Sequence, residues 1–327
     1  MGTILVVRHG PGRGRLPGYL DQVLDAIGAD VRLHATGSPP PELAGCSAVV
    51  FWLGDPLREL YPECYAEAVR IADAARARGL RIINAPAALS NSVKSRQATL
   101  WREAGIPTVA QQRFENRAAL EDLLADAAYP LLLRSDEHHA QRGLHVLHSA
   151  RDVPAKLSLP GTLAPLVDTR APGDRLYHKK RVLVMGDVVR TVHVFFSTSP
   201  IVSQKSSTFR SQERPRRYWA ANLRLLHRRA GCLRADYDYW AQETAHTDLM
   251  KRSVRALGLD FAAIDYSDRP DGSAILWEAN PHFDLPPWYA NVLPRARRLE
   301  QRHPGLHAAF ARFFKDLESV PDLNDRA

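Results

Sequence analysis

The stretch LDFAAIDYSDRPDGSAILWEANPHFD, Leu259 to Asp284, decides the fold. Two apolar runs flank the turn-rich SDRPDGS, a pattern that predicts antiparallel strands joined by a tight turn. Side chains alternate across a strand, so Glu278 and Asn280 share one face, and a suitable register brings Asp265 to the same face. Such groups cost free energy to bury unless something binds them. Two carboxylates and a carboxamide present only hard oxygens, which suit Mg2+ completed by water and phosphate oxygens better than zinc or a softer metal. One reading is therefore a magnesium-nucleotide site. The other is a hairpin edge with ordinary polar residues facing solvent.

The rest of the chain bounds these readings. Its 327 residues, 45% hydrophobic and 24% charged, suffice for two or three domains with real cores and do not suggest disorder. A net charge of +8 favours polyanions, whether nucleotides, phosphorylated substrates, nucleic acid or acidic proteins. No nucleic-acid recognition module accompanies that charge, so nucleic acid is not the expected partner. Cys46, Cys64 and Cys232 are widely spaced and odd in number, which fits a reducing compartment rather than a disulfide framework or zinc site. The apolar run in MGTILVVRHG is too short for a signal peptide, and no segment reaches the roughly 18 apolar residues of a membrane helix. The expected location is the cytoplasm.

Along the chain, TILVVR, DVRLHA, SAVVFWL and LRIINAP read as strands and alternate with the helical patterns LPGYLDQVLDAIGA and YAEAVRIADAARARG. This is the pattern of an open α/β layer with parallel strands. The Gly-rich HGPGRGRLPG fits neither GxGxxG nor GxxxxGK[ST]; it reads as a basic strand-to-helix loop, with phosphate binding as the competing reading. Residues 91–105 predict a helix capped by Ser90 or Asn91 and closed by Gly105 and Pro107. A helical RAALEDLLADA, strands YPLLLRS and GLHVLHS, a capped SARDVPAKL and a strand near TLAPLVD make a second, α+β block. HKKRVLVMGDVVRTVHVFFS predicts a hairpin turning at Gly186-Asp187. Between Lys205 and Arg234 regular patterning dissolves among arginines, leaving either a solvated basic loop or helix face or an anion-binding or lid role. TDLMKRSVRALG and HAAFARFFKDLE read as helices on either side of the closing hairpin.

Three segments, in order, carry a resemblance: IINAPAALSNSVKSRQATLWREAGIPTV, YPLLLRSDEHHAQRGLHVL and LGLDFAAIDYSDRPDGSAILWEANPHFDL. Over roughly residues 80–320 the chain resembles the ATP-grasp superfamily of ADP-forming carboxylate–amine ligases, in the branch of RimK and glutathione synthetase. The resemblance implies an ATP-grasp fold, α/β and α+β, with a Rossmann-like pre-ATP-grasp domain over 1–90. It further implies a central nucleotide-covering subdomain over 91–175 and a metal- and acceptor-binding subdomain over 176–327. Asp265, Glu278 and Asn280 match the family's ligands for two Mg2+ ions on the ATP phosphates.

By the same resemblance Lys94 and Arg134 contact the nucleotide, Arg142 and Gly143 belong to its covering loop, and Leu166 and Val167 offer backbone groups to adenine. Arg181 is the nearest match to an arginine facing the γ-phosphate and the acceptor carboxylate, with Arg190 and His193 on the same hairpin. The implied reaction activates a carboxylate as an acyl phosphate for attack by an amine, releasing ADP and phosphate (EC 6.3 type). Its partners are small-molecule or peptide carboxylates and amines. A phosphotransferase on the same fold, or a MgATP-binding protein with weakened catalysis, are the alternatives.

Several positions depart from the family pattern. Arg134 stands where a lysine is usual, and arginine presents a planar fork rather than a point charge. The covering loop over 135–143 is SDEHHAQRG, with Gly143 as its one glycine, and bulky His138 and His139 limit close backbone approach. Pro165 occupies the place of the usual hinge glutamate. Two of the proposed contacts have a plainer reading: Lys94 as a solvent-facing helical lysine, and Arg181 as a cross-strand salt bridge on an exposed sheet face.

Overall fold

Aliphatic and β-branched runs lay down a parallel sheet first. In the computed structural model, which describes residues 2–13, 28–138, 143–202, 223–283 and 302–318, β1 (Thr3–Arg8), β2 (Val31–Ala35), β3 (Cys46–Trp52) and β4 (Arg81–Ile83) pair in the order β2-β1-β3-β4. All three pairings are parallel, as the alternating pattern predicts. Between β3 and β4 run α1 (Leu57–Leu60) and α2 (Pro62–Arg76). α2 starts with proline, whose missing N–H costs nothing at a helix start, and buries Cys64, Ala68, Ile71, Ala72 and Ala75 on one stripe. Most of the helix expected over 16–29 lies outside the described residues.

The helix read over 91–105 is shorter and is entered differently. α3 (Pro86–Leu89) and a 3-10 turn at Ser90–Ser92 precede α4 (Lys94–Glu103), whose cap position is Val93. Ser90 and Asn91 therefore do not cap it. Ser90 instead accepts from the Arg58 amide, and Asn91 donates to the Leu257 carbonyl. Gly105, at φ 66°, ends the helix in the left-handed region that glycine adopts without strain. The exit segment then lies alongside the last strand: Leu276 N–H donates to the Pro107 carbonyl at 2.9 Å, and Thr108 forms a parallel bridge with Leu276.

A second sheet, antiparallel throughout, joins β5 (Gln112–Phe114), β6 (Leu131–Ser135), β7 (His145–Leu147) and β8 (Gly161–Pro165) in the order β5-β8-β6-β7. α5 (Arg117–Ala125), capped by the Asn116 side chain, covers a small core of Phe114, Leu120, Leu124, Leu131, Leu133, Leu147 and Leu163. The segment SARDVPAKL yields only a 3-10 turn at Ala150–Asp152, held by a Ser149/Asp152 capping box. Val153 is already extended, and Pro154 denies it a helical conformation.

The third sheet carries two hairpins. β9 (Tyr177–Met185), β10 (Val188–Ser197), β11 (Phe261–Asp268) and β12 (Ala274–Asn280) are ordered β10-β9-β11-β12, all antiparallel, with turns where the sequence places them. Alternation divides its apolar side chains. Val182, Val184, Ala262, Ile264 and Tyr266 join a core with Trp101 of α4 and Met250 and Val254 of α7 (Thr247–Ala256), whereas Leu183, Met185, Phe261 and Ala263 pack with Phe310 and Phe314 of α8 (Arg302–Glu318). Burial of both faces fixes the register, because a slip by one residue would exchange the two sets.

The arginine-rich stretch is helical in its second part. α6 (Leu223–Trp240) takes in LRLLHRRAGCLR, where no periodicity was expected, while 203–222 lie outside the described residues. Tertiary packing supports the helix, since Cys232 packs against Phe195, Asp236 accepts from the Val194 amide and Tyr239 packs against the main core. Asn84, just past β4, joins the first and third sheets: its Oδ1 accepts from the Asp260 and Phe261 amides and its Nδ2 donates to the Phe261 carbonyl.

Candidate functional site

The register of the third sheet sets four chemistry-bearing side chains in one row. His193 on β10 faces Arg181 on β9, Arg181 faces Asp265 on β11, and Asp265 faces Glu278 on β12. Directly opposed residues share a face, so the row lies on one side of the sheet. A bulge between Thr191 and His193 keeps His193 in it. Arg190 sits opposite Leu183, near the hairpin turn, and is exposed. The structure thus aligns His193 with Arg181 and leaves Arg190 apart.

Asp265 is 2% exposed. Arg181 holds it with Nε at 2.6 Å from Oδ1 and the outer guanidinium nitrogen at 3.0 Å from Oδ2, and Lys179 donates to Oδ2 at 2.8 Å. Burial alone would raise this carboxyl's pKa; the Arg181 and Lys179 charges and hydrogen bonds overcome it and hold the pKa down at about 2. Arg181 therefore does form a cross-strand ion pair, but a buried one. Lys179 adds to the residues read from the sequence, and the signal was available: it lies two positions from Arg181 on the same strand, hence on the same face.

Glu278 is the meeting point of the other cations. Lys94 Nζ lies 3.8 Å from Glu278 Oε1, and the Glu278 charge is felt by Arg134 and Arg181 as well. Lys94 is buried rather than solvent-facing. Burial pulls its ammonium pKa down, with Glu278 opposing, and its Nζ donates to the His138 carbonyl at 2.7 Å. Burial likewise pulls the Arg134 pKa down against the Glu278 and Asp136 charges. Arg134 donates to Gln111 Oε1 at 2.9 Å. Lys94, Arg134, Lys179 and Arg181 thus face Asp265 and Glu278, a surplus of positive charge in a partly dehydrated setting. Such a surplus binds anions carrying more than one charge.

Asn280 is nearly buried and closes β12, opposite Ala263. With Asp265 and Glu278 it makes an all-oxygen set. Among the described residues no three His, Cys, Asp or Glu groups gather as a metal cluster, because the expected trio contains only two carboxylates. A carboxylate offers about four lone-pair positions; three at Asp265 are engaged by Arg181 and Lys179, so the residues fit a cation only by sharing what remains there with Glu278 and Asn280. Gln97 of α4 holds this strand end, accepting from the Ala279 amide and donating to its carbonyl.

The remaining described positions read from the sequence flank the strands of the second sheet. Gly143 adopts φ 66° and stands over Ser158 so closely that a Cβ would meet its Oγ at 2.6 Å. Arg142 and His139 lie outside the described residues. The Leu166 amide donates to the Pro130 carbonyl, so it is already committed to the sheet; Val167 follows it, half-buried. The Gly-rich loop after β1 is described up to Arg13: His9 Nε2 accepts from the Gly54 amide at 2.7 Å, and the Gly10 amide donates to Thr36 Oγ1. Among the described residues no helix is long and apolar enough to cross a membrane.

No protein-family model matches the chain, and no curated protein matches it either. Solved structures do. The chain is similar to the ATP-grasp ligase PsnB complexed with a minimal precursor, at 15% identity and TM-score 0.54 over 96% of this chain and 98% of that one. It is similar to a RimK-domain ATP-grasp protein from Sphaerobacter thermophilus, at 15% identity and TM-score 0.54 over 95% and 99%, and to the D-cycloserine synthetase DcsG, at 15% and 0.52 over 94% and 99%. Likeness at this identity over nearly the whole length shows the fold: the chain has the ATP-grasp fold, as the resemblance in its motifs implies.

Proposed function

We propose that this chain is an ATP-dependent, ADP-forming ligase that activates a carboxylate as an acyl phosphate and joins it to an amine. The observation that supports this best is the convergence of Lys94, Arg134 and Arg181 on Glu278, beside an Asp265 already matched by Arg181 and Lys179. A carboxylate attacking the γ-phosphate brings two anions together, and catalysis of such transfers is mostly positioning and charge neutralisation. Here Arg181, pinned by Asp265, would face the transferred phosphoryl group. Lys94 and Arg134 would hold the remaining phosphates, and Arg142 and Gly143 would belong to the covering loop.

His193, in the row beside Arg181, would border the acceptor, and the more distant Arg190 would contribute charge at the hairpin end. Because the Leu166 amide is spent on Pro130, adenine would be met by the other backbone groups at Leu166 and Val167. Asp265, Glu278 and Asn280 would hold Mg2+, two ions in the family pattern, which when bound neutralises charge on the phosphate oxygens. Neighbouring structures with this fold are described with AMPPNP, or with Mg and ADP. The amine would attack the acyl phosphate, forming the amide C–N bond and releasing phosphate. The arginines between Lys205 and Arg234 point to an anionic acceptor, such as a carboxylate-rich amino acid or peptide; the setting is the cytoplasm.

A second reading, MgATP binding with weakened catalysis, is favoured by one observation: three lone-pair positions of Asp265 are engaged by protein cations. ADP release measured with MgATP and pairs of amino acids separates the two. Ligation predicts release that depends on both substrates, falling by about 100-fold or more in Glu278→Gln, because one of two carboxylates for the cation is lost. Tight MgATP binding with no release supports the second reading, and γ-phosphate traced to a stable phosphoester supports a phosphotransferase.

A further inference from the structure

The covering loop departs most from the family pattern, and its first residues form a clamp. Asp136 is fully buried at the end of β6. Its Oδ1 accepts from the Ser95 amide at 2.8 Å, and its Oδ2 accepts from Ser95 Oγ at 2.6 Å and from Arg113 at 2.8 Å. Its backbone is equally committed: its carbonyl accepts from the Lys94 amide at 3.1 Å, and its own amide donates to the Pro160 carbonyl at 3.0 Å.

These contacts answer a need of α4. That helix has no side-chain cap from its own segment and no acidic residue in its first turn, so its free amides and the positive end of its dipole lack an anion. Asp136 supplies one from another sheet. Two consequences follow. The helix end is closed to a phosphate through the Ser95 amide, so Lys94 must serve the nucleotide through its side chain. That side chain in turn depends on the clamp, because Nζ donates to the carbonyl of His138, two residues beyond Asp136, and lies 3.5 Å from the Asp136 carbonyl.

We propose that Asp136 is the positioning residue of the nucleotide site, fixing the Lys94 ammonium between the covering loop and Glu278 by clamping the loop's base onto the start of α4. This rests on the reading of Lys94 as a nucleotide contact. Arg113, which also binds Glu115 and approaches Glu137, is the counter-charge that lets a buried carboxylate serve as the clamp.

The test is a double-mutant cycle of Asp136→Asn with Lys94→Met, reading KM for MgATP and kcat. Asp136→Asn alone should raise KM about tenfold, equivalent to 1.4 kcal/mol, with a much smaller change in kcat. In the Lys94→Met background it should raise KM no further. An equal penalty in both backgrounds would overturn the proposal, since a merely structural residue acts regardless of Lys94. Should Asp136→Asn fail to fold, Ser95→Ala and Arg113→Gln loosen the clamp one bond at a time and must show the same dependence on Lys94.

A readout independent of activity separates this inference from the functional one. Competitive acylation read by mass spectrometry should show Lys94 several-fold more reactive when the clamp is loosened, with Lys179 and Lys180 unchanged. Uniform increases at all three lysines count against the clamp. Calorimetry showing no MgATP binding by the unaltered protein would sink the ligase reading, and the labelling result would still decide whether Asp136 holds Lys94.

Discussion

Lys179 and Lys180 are neighbours on one strand, and each pairs with an aspartate of β11, yet the two pairs lie on opposite faces of the third sheet. On one face Asp265 is 2% exposed and is gripped by both Lys179 and Arg181. On the other, Asp268 is 30% exposed, pairs with Lys180 and His246, and serves to anchor the residue before α7. The residue types are the same and the separation in sequence is three positions. Burial makes the difference: a dehydrated carboxylate must have all its partners, whereas a surface pair gains little beyond what water already offers. The buried pair also lies in a row with Glu278, so its cost is borne where multiply charged anions would bind.

The largest break in this contrast should come from Arg181→Leu. It leaves Asp265 buried with Lys179 as its remaining cation, and losing one partner of a buried pair costs about 3–5 kcal/mol. Urea unfolding should show that loss. In the proposed reaction the guanidinium would face the transferred phosphoryl group, so turnover should fall by about 100-fold or more. A destabilisation under about 1 kcal/mol would mean that the site is wetter than its exposure indicates.

Acid titration sharpens the same contrast. Asp265 titrates near 2 in the folded chain against an ordinary 3.8, so the folded state binds its proton more weakly than the unfolded state does. Its contribution is fully present above the ordinary value and is lost as pH falls from about 4 toward 2, some 2 kcal/mol in all. In metal-free buffer with chelator, the acid limb of a stability profile should therefore be flatter in Asp265→Asn than in the unaltered chain. Equal slopes in the two proteins would show that Arg181 and Lys179 do not hold the buried carboxylate ionised.

Much of this was legible in the amino-acid order because it depends on short-range alternation. The turn residues Gly186-Asp187 and DRPDGS announce both hairpins, and alternation puts Glu278 and Asn280 on one face; what brings Asp265 opposite Glu278 is a bulge between Asp265 and Tyr266, which alternation does not reveal. Lys179 follows from the same parity once Arg181 is singled out. Asp136 had no comparable signal: its partners Ser95 and Arg113 are 41 and 23 residues away in the chain, and their approach depends on how the second sheet meets α4. The cap of α4 was misplaced for that reason, since a cap delivered from another strand leaves no trace beside the helix. The helix through LRLLHRRAGCLR was hidden because its arginines break the apolar period that would have revealed it.

Lys180→Ala should have the smallest effect, and it is the control that gives the others meaning. Its ammonium is about a quarter exposed, and it contacts Asp268 and the Tyr239 ring at 5.2 Å. Exposed ion pairs are worth about 0–1 kcal/mol and a cation over a ring at a wet site about 0.5–1 kcal/mol, so the unfolding free energy should drop by roughly 1 kcal/mol. Asp268 keeps His246, so no carboxylate is stranded. KM for MgATP should stay within about twofold, because alternation points Lys180 away from Glu278. A tenfold rise would place the nucleotide on the face of the sheet that carries Tyr239 and Asp268, and the assignment of the site to the row through Arg181, Asp265 and Glu278 would have to be given up.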